Sequence, residues 1–394
     1  MNEILNLAIN DMAQTEFDCS CGRHHNFSIH DIAIGSGAIA ELPRVAAPFK
    51  DGKVLMVYDD NTYKAAGEKA KKLMLDAGFN VKELLFDRGG KLMIPDESVV
   101  GRILQEQDLD VTLMVAVGSG SINDSVKYVS SRTKVPYIIV CTAPSMDGYV
   151  ADGAPLIAAG YKYSYPACLA YGVVGDTDIM KHAPMDLIQA GFGDVVGKIT
   201  ALADWDLSVK VNGEYRCDTC VELVRRALDK CFSHAEALKE RDEEATLYLI
   251  EALTLTGVAM GLVNISRPAS GAEHMLSHYW EMDYIARGLT PIHHGTQVGI
   301  ATPIIAEFFE ELADILPEGT GALCPPRTEI EALLRKAGCP VTPQDVGIER
   351  DLFHRSLIEG YKVRPRYSVM EFAKQHGRLE EIADKITNRV YGDK

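Results

Sequence analysis

VTLMVAVGSGSINDSVK, residues 111–127, runs an apolar, β-branched stretch into two closely spaced glycines and then straight into a helical pattern. That order reads as a buried strand, a tight turn and the first turn of a helix. Working outward, KVLMVYDD (53–60) and VPYIIVC (135–141) are further buried-strand candidates, and NVKELLFD (80–87) is a fourth. Between them NTYKAAGEKAKKLMLDAG (61–78) has helical spacing and ends on Gly78 as a C-cap, and ESVVGRILQEQD (97–108) is a short amphipathic helix. Strands alternating with helices predict a parallel sheet covered on both faces. After residue 176 the texture changes. MDLIQAGFGDVVGKITALADWDLSVK (185–210), the span from about 218 to 262, AEHMLSHYWEMDYIA (272–286) and GTQVGIATPIIAEFFEELADIL (295–316) are long helical patterns. The expected fold is an α/β N-terminal, Rossmann-like parallel-sheet domain over 1–175 and an all-α C-terminal domain over 176–394. The active site is expected in the cleft between them, beyond the carboxyl ends of the strands.

With 394 residues, the chain exceeds the roughly 250–300 at which a single core stops growing, which also predicts two domains. A net charge of −16 argues against a nucleic-acid partner, because phosphate neutralisation needs a basic face. It also requires that any anionic substrate be captured by a local cluster of cations. By the sequence pattern no apolar run approaches the ~20 residues that span a bilayer, and the acidic start MNEILNLAINDMAQTEFD lacks the form of a signal peptide. A cytoplasmic protein without a membrane partner is expected. Nine scattered cysteines suit reduced thiols better than a disulfide framework.

Three features carry chemistry. Gly118 and Gly120 let the backbone approach a phosphate at the N-terminus of a helix, with Ser119, Ser121 and Ile122 around them. The bland alternative is an ordinary strand-to-helix turn, and neither Walker A nor GxGxxG is present. Asp59, at the end of an earlier strand, stands where dinucleotide enzymes place the acid that bonds a ribose. The second feature is a dispersed set of metal-type ligands. His274 and His278 lie four apart on one helical face, His293 and His294 follow in PIHHGTQ, and Asp194 is a lone acid in an apolar helix. Burying that carboxylate is costly unless it is paired or bound to a metal. Nitrogen and oxygen ligands suit Zn²⁺ or another first-row divalent ion. The third is CTAPSMDGYVADGAP (141–155), in which Thr142 and Ser145 can donate to a cofactor and Asp147 faces the cleft; its composition alone also predicts a turn. CSCGRHH (19–25), with Cys19, Cys21, His24 and His25, and the pair Cys217 and Cys220 are metal-type residues outside the expected cleft. Their bland readings are an N-terminal extension and surface thiols.

Taken in order, GSGSIND, TAPSMDG, GFGDVVGKITALADW, SRPASGAEHMLSH and HHG resemble the iron-dependent alcohol dehydrogenase and dehydroquinate synthase superfamily. Within it the sequence is most similar to the glycerol-1-phosphate dehydrogenases of the longer bacterial form, over roughly residues 25–320. The resemblance implies that Asp194, His274 and His294 hold one divalent ion, Zn, Ni or Fe, and that Asp147, Asp194 and His278 contact substrate. It implies that Gly118, Ser119, Gly120, Ser121 and Ile122, with Thr142, Ala143, Pro144 and Ser145, line NAD(H) or NADP(H), with Asp59 on the ribose. Family members often carry a serine where this chain has Ala151, so one side-chain bond to the cofactor is lost or replaced by a backbone one. The implied reaction interconverts dihydroxyacetone phosphate and sn-glycerol 1-phosphate, with His278 relaying a proton and the protein a homodimer. For the substrate phosphate, Arg267 and Lys198 are the cationic candidates, with solvated surface charge as the alternative for each. Competing readings are a glycerol or polyol dehydrogenase, a dehydroquinate synthase-like lyase, and a non-catalytic metal- and nucleotide-binding regulator. Nothing is carried onto CSCGRHH or onto the tail beyond about residue 325.

Overall fold

The computed structural model describes residues 3–392. Its strands are β1 (Glu16–Asp18), β2 (His24–Asn26), β3 (Asp31–Gly35), β4 (Lys53–Asp59), β5 (Asn80–Phe86), β6 (Val111–Gly118), β7 (Tyr137–Cys141), β8 (Gly153–Ala158), β9 (Tyr161–Pro166) and β10 (Gly172–Asp176). Six of them form one sheet in the order β3-β10-β7-β6-β4-β5, and every neighbouring pair is parallel. The alternation of side chains across β4 explains why both faces are covered. Val54, Met56 and Tyr58 enter one apolar layer, while Leu55 and Val57 enter the other. From β4 the chain moves outward to β5 and then back across to β6, so the strand order reverses between β4 and β6. Asp59 ends β4 and Gly118 ends β6 at that reversal, the point beyond whose carboxyl ends open α/β sheets bind ligands.

Strand β3 at one edge and β10 between it and β7 complete the four strands read from the sequence. Two antiparallel hairpins, β1–β2 and β8–β9, stand outside the main sheet. After β10 the chain is helical. The main helices are α1 (Glu68–Asp76), α2 (Glu97–Glu106) and α3 (Gly120–Thr133) in the first half. In the second half they are α4 (Met185–Asn212), α5 (Asp218–Ser233), α6 (Glu243–Val263), α7 (Ala272–Ala286), α8 (His294–Glu311), α9 (Arg327–Lys336), α10 (Arg350–Glu359), α11 (Val369–Gln375) and α12 (Leu379–Tyr391). The single helical span expected over 218–262 is two helices, parted where Arg241 takes a left-handed φ of 57°. Helix α6 also corrects the reading that no segment is long and apolar enough to cross a bilayer. It has that length and hydropathy, but 67% of its most apolar window is buried inside the protein, as a core helix requires.

Helices α4 and α8 carry the residues that matter most below, and glycines set how closely they meet. A Cβ on Gly193 would lie 2.3 Å from the carbonyl oxygen of Gly295. Only backbone is in the way, so nothing flexible can yield. Gly193→Ala is therefore expected to cost at least about 2 kcal/mol through overpacking, read as a lower unfolding midpoint in denaturant. An unchanged midpoint would mean that the helices part without cost.

Candidate active site in the cleft between the two halves

A cleft of about 750 Å³ runs between the sheet domain and the helices, within the usual range for ligand sites. Ser119, Gly120 and Ser121 reach it from the start of α3. Ser145, Asp147 and Ala151 reach it from the loop after β7, and His274, His278, His293 and His294 from α7 and the entry to α8.

The sequence brings Asp194, His274 and His294 to one point. One ligand atom from each lies within 4.8 Å of the other two, and His274 Nε2 is 3.6 Å from Asp194 Oδ1. Hydrogen bonds behind the rings decide which nitrogens are bare. His274 Nδ1 is 2.7 Å from Glu273 Oε1, an acceptor that puts the proton on Nδ1 and leaves Nε2 turned to Asp194. The Ser277 hydroxyl donates to Gln297 Oε1 at 2.9 Å, so its oxygen accepts from His294 Nδ1 at 3.2 Å. His294 Nε2 is then bare as well. Carboxylates and hydroxyls placed behind ligand histidines orient them in this way in metal sites generally. Burial, then the neighbouring His274 and His278, press His294 well below the usual imidazole value, which keeps it neutral. His293 turns aside and pairs with Asp186 at 3.2 Å. Two bare imidazole nitrogens and one carboxylate fit a first-row divalent ion and leave coordination positions open.

Charge balance supports the same fit. Lys198 has no exposed surface, and its ammonium lies 2.6 Å from Asp194 Oδ1 and 2.7 Å from Asp147 Oδ2. With both carboxylates ionised, two against one ammonium leave one negative charge for a cation, while burial and the Asp194 charge raise Asp147 above its usual range in the absence of one. The Lys198–Asp147 approach is oblique, so Asp147 Oδ2 lacks a well-aligned donor. The Asp147 amide donates to Asp194 Oδ2 at 3.0 Å, which ties the loop after β7 to α4. Burial opposes ionisation of Asp194, but Lys198 and His274 outweigh it and hold the carboxyl far below its usual range.

The cofactor candidates divide. Ser119 is the N-cap of α3, yet its side chain makes no capping bond, so first-turn amides of the helix are left for an anion. Gly118 and Ile122 lie behind that turn, where a Cβ on Gly118 would meet Ile122 at 2.6 Å. Ser145 and Ala151 line the cleft, while Thr142 and Ala143 are buried and Pro144 backs the same loop against α4, its carbonyl oxygen 1.7 Å from where a Gly191 Cβ would be. Asp59 stands at the end of β4, with Oδ1 accepting from the Thr62 amide in a capping box.

Both phosphate candidates need correction. Arg267 is 4% exposed and does not line the cleft. It binds the Glu214 carboxylate through Nε at 2.8 Å and through Nη2, and donates to the Tyr367 carbonyl. Lys198 is likewise committed, to its two aspartates. The cleft's cations come from places the sequence reading left aside. Arg364 and Arg366, in the segment before α11, and Lys162 on β9 line it. Lys162 is neutralised by Glu281 at 2.6 Å. Arg364 donates to His278 Nε2 at 2.8 Å, and Arg366 donates to the Ser270 carbonyl and Ser266 hydroxyl. Among the described residues neither has a carboxylate within ion-pair distance. Burial pulls Arg364 below the usual guanidinium value; burial, then Arg267 and Arg364, pull Arg366 down to about 10. Because an arginine only donates, His278 carries its proton on Nδ1, toward Glu281 at 3.8 Å. Burial comes first in pulling His278 down to about 3, so it is neutral at neutral pH.

The sequence profile for iron-containing alcohol dehydrogenase matches residues 33–184. Solved structures share the fold at low identity. Glycerol dehydrogenase from Schizosaccharomyces pombe superposes with a TM-score of 0.65 at 17% identity, covering 92% of each chain. NADH-dependent butanol dehydrogenase A from Thermotoga maritima does so with 0.67 at 19% identity, covering 93% of this chain and 100% of its own. Sequence relatives are nearer. Glycerol-1-phosphate dehydrogenase [NAD(P)+] of Geobacillus thermodenitrificans is 33% identical over 91% of this chain and 96% of its own, and that of Methanosarcina barkeri 31% over 91% and 95%. The enzyme of the same name from Bacillus licheniformis is 30% identical over 97% of this chain and 98% of its own. With identity at that level held from end to end, the chain belongs to the glycerol-1-phosphate dehydrogenase family.

Proposed function

We propose that the cleft reduces dihydroxyacetone phosphate to sn-glycerol 1-phosphate with NADH or NADPH, reversibly. The observation that carries this beyond a generic alcohol dehydrogenase is the pair of guanidinium groups, Arg364 and Arg366. They line the same cleft as His274 and His294, behind which Asp194 is buried, and among the described residues they have no carboxylate partner. In a chain of net charge −16, two unneutralised arginines beside a reaction centre suit a dianionic phosphate. An uncharged polyol gives them no counterion.

Asp194, His274 and His294 would hold a divalent ion, which would supply Lewis-acid polarisation of the C2 carbonyl. The chain's own residues do the rest. The α3 N-terminus with Ser119, Gly120 and Ser121 takes the dinucleotide phosphates, and Ser145 and the backbone at Ala151 border the cofactor. Arg364 and Arg366 hold the substrate phosphate and so fix which carbon meets the nicotinamide. Lys198 keeps Asp194 ionised and opposes the burial and the Asp194 charge that raise Asp147 above its usual range. A bound dihydronicotinamide would supply the hydride at C2, and one proton must then reach the C2 oxygen. His278, neutral and singly protonated on Nδ1, passes a proton between water and substrate rather than holding one in store. The same reading carries a cytoplasmic homodimer and the division near residue 175.

Chelator-stripped protein given Zn²⁺, Ni²⁺ or Fe²⁺ separately, with dihydroxyacetone phosphate and NADH or NADPH, is expected to oxidise the nicotinamide only when a metal is restored. Turnover of dihydroxyacetone but not of its phosphate would move the substrate to an uncharged polyol and sink the assignment.

A further inference from the structure

The β1–β2 hairpin borders the cleft at Asn26, the last residue of β2, and around its turn it gathers a second group of ligand-type side chains. Cys19 and Cys21 stand in its turn, His25 on β2, and Cys217 at the N-cap of α5. One ligand atom from each lies within 4.8 Å of all the others. Cys19 Sγ is 3.7 Å from Cys217 Sγ, and His25 Nε2 is 3.3 Å from Cys21 Sγ and 3.4 Å from Cys217 Sγ. A tetrahedral zinc with bonds of about 2.3 Å to sulfur and 2.0–2.1 Å to nitrogen spaces its ligands ~3.8 Å (S···S) and ~3.6 Å (S···N) apart. The side chains thus already stand at the edges of such a tetrahedron.

A second set of contacts shows that these atoms are oriented and not merely crowded. His25 Nδ1 is 2.6 Å from the Leu262 carbonyl on α6. A carbonyl only accepts, so the proton is on Nδ1 and the bare Nε2 faces the sulfurs. Each sulfur also has a polar neighbour outside the cluster: Thr219 Oγ1 at 3.3 Å from Cys19, the Tyr215 hydroxyl at 3.2 Å from Cys21, and the Cys220 amide and thiol on Cys217. The amide belongs to the first turn of α5, where the helix favours a thiolate.

We propose that Cys19, Cys21, His25 and Cys217 form a structural Cys₃His zinc site that pins the N-terminal hairpin to α5 and α6, separate from the centre in the cleft. All four positions are filled by protein, so the site is closed and carries no catalysis. A Cys19–Cys217 disulfide is the rival use of the same sulfurs. It leaves the aimed His25 nitrogen and Cys21 without a purpose.

The two metal centres differ in sulfur, and that makes the test independent of the proposed reaction. Full-length protein loaded with Co²⁺ after stripping is expected to show thiolate-to-cobalt charge-transfer absorption. It should persist in His294→Ala, which disturbs only the cleft, and vanish in the double variant Cys21→Ser/Cys217→Ser. Should that variant fail to fold, the wild type answers alone. Zinc loading is expected to protect Cys19, Cys21 and Cys217 together from alkylation, read by peptide mass spectrometry. Absence of the charge-transfer band in wild type, equal alkylation with and without zinc, or isolation of a Cys19–Cys217 disulfide from reduced, zinc-loaded protein would each overturn the proposal.

Discussion

His294→Ala is expected to lower kcat/KM for dihydroxyacetone phosphate by about a thousand- to ten-thousand-fold while leaving the fold intact. Lewis-acid assistance is worth several kcal/mol of transition-state stabilisation, and each ~1.4 kcal/mol is a factor of ten. The choice among the three ligands follows from their surroundings. Asp194→Asn would leave buried Lys198 with Asp147 as its one remaining ion-pair partner, and breaking a buried pair costs about 3–5 kcal/mol. Lost activity would then be confounded with lost structure. His294 contributes a neutral ring that, among the described residues, hydrogen-bonds to Ser277 alone, so its removal tests the chemistry more cleanly. Ser277→Ala gives the graded control. It removes the acceptor that fixes the His294 tautomer and should weaken metal affinity by roughly 10–100-fold, a defect that excess metal repairs. His294→Ala activity within tenfold of wild type at equal metal content would remove this residue from the ligand set.

How much of this was legible before folding depends on the kind of signal each residue leaves. β6 and β7 are buried along nearly their whole length, so they read as unbroken β-branched runs. β10, GVVGD, is also fully buried, but two glycines in five residues hide it, and β3 is equally short. Asp194 announces itself because a carboxylate in an apolar helix is costly and needs a reason. Arg364 and Arg366 give no such sign: two arginines in a polar connection look like ordinary surface, and only tertiary placement turns them toward the cleft. Arg267 misled for the converse reason. Its neighbours in SRPASG belong to the site, while its own guanidinium is spent on Glu214, 53 residues away. The hairpin cysteines show the same limit, since Cys19 and Cys217 are 198 positions apart and no spacing rule joins them.

Those arginines yield the second large effect. Arg364→Ala is expected to raise KM for dihydroxyacetone phosphate by about 10- to 150-fold, because a hydrogen bond to a charged group is worth about 1.5–3 kcal/mol. Turnover of unphosphorylated dihydroxyacetone should fall far less, because there only the hydrogen bond to His278 is lost. Arg366 is the poorer probe, since it also supports the Ser266–Ser270 turn, and its loss would mix binding with structure. Arg364 makes one hydrogen bond, to His278, and without ligand its charge is half-buried and lacks a carboxylate partner among the described residues. Removing such a charge relieves a desolvation cost, so the ligand-free variant should be as stable as wild type or slightly more so. Inorganic phosphate makes the contrast sharper. It should raise the melting temperature of wild type, by up to about 2.7 kcal/mol of stability at a hundred times its Kd, and should do much less for Arg364→Ala. A variant that loses stability without phosphate and keeps its KM would show that Arg364 holds the fold and not the substrate. Higher KM, undiminished stability and lost phosphate protection together can arise only from a cation kept unpaired for an anion that arrives with the substrate.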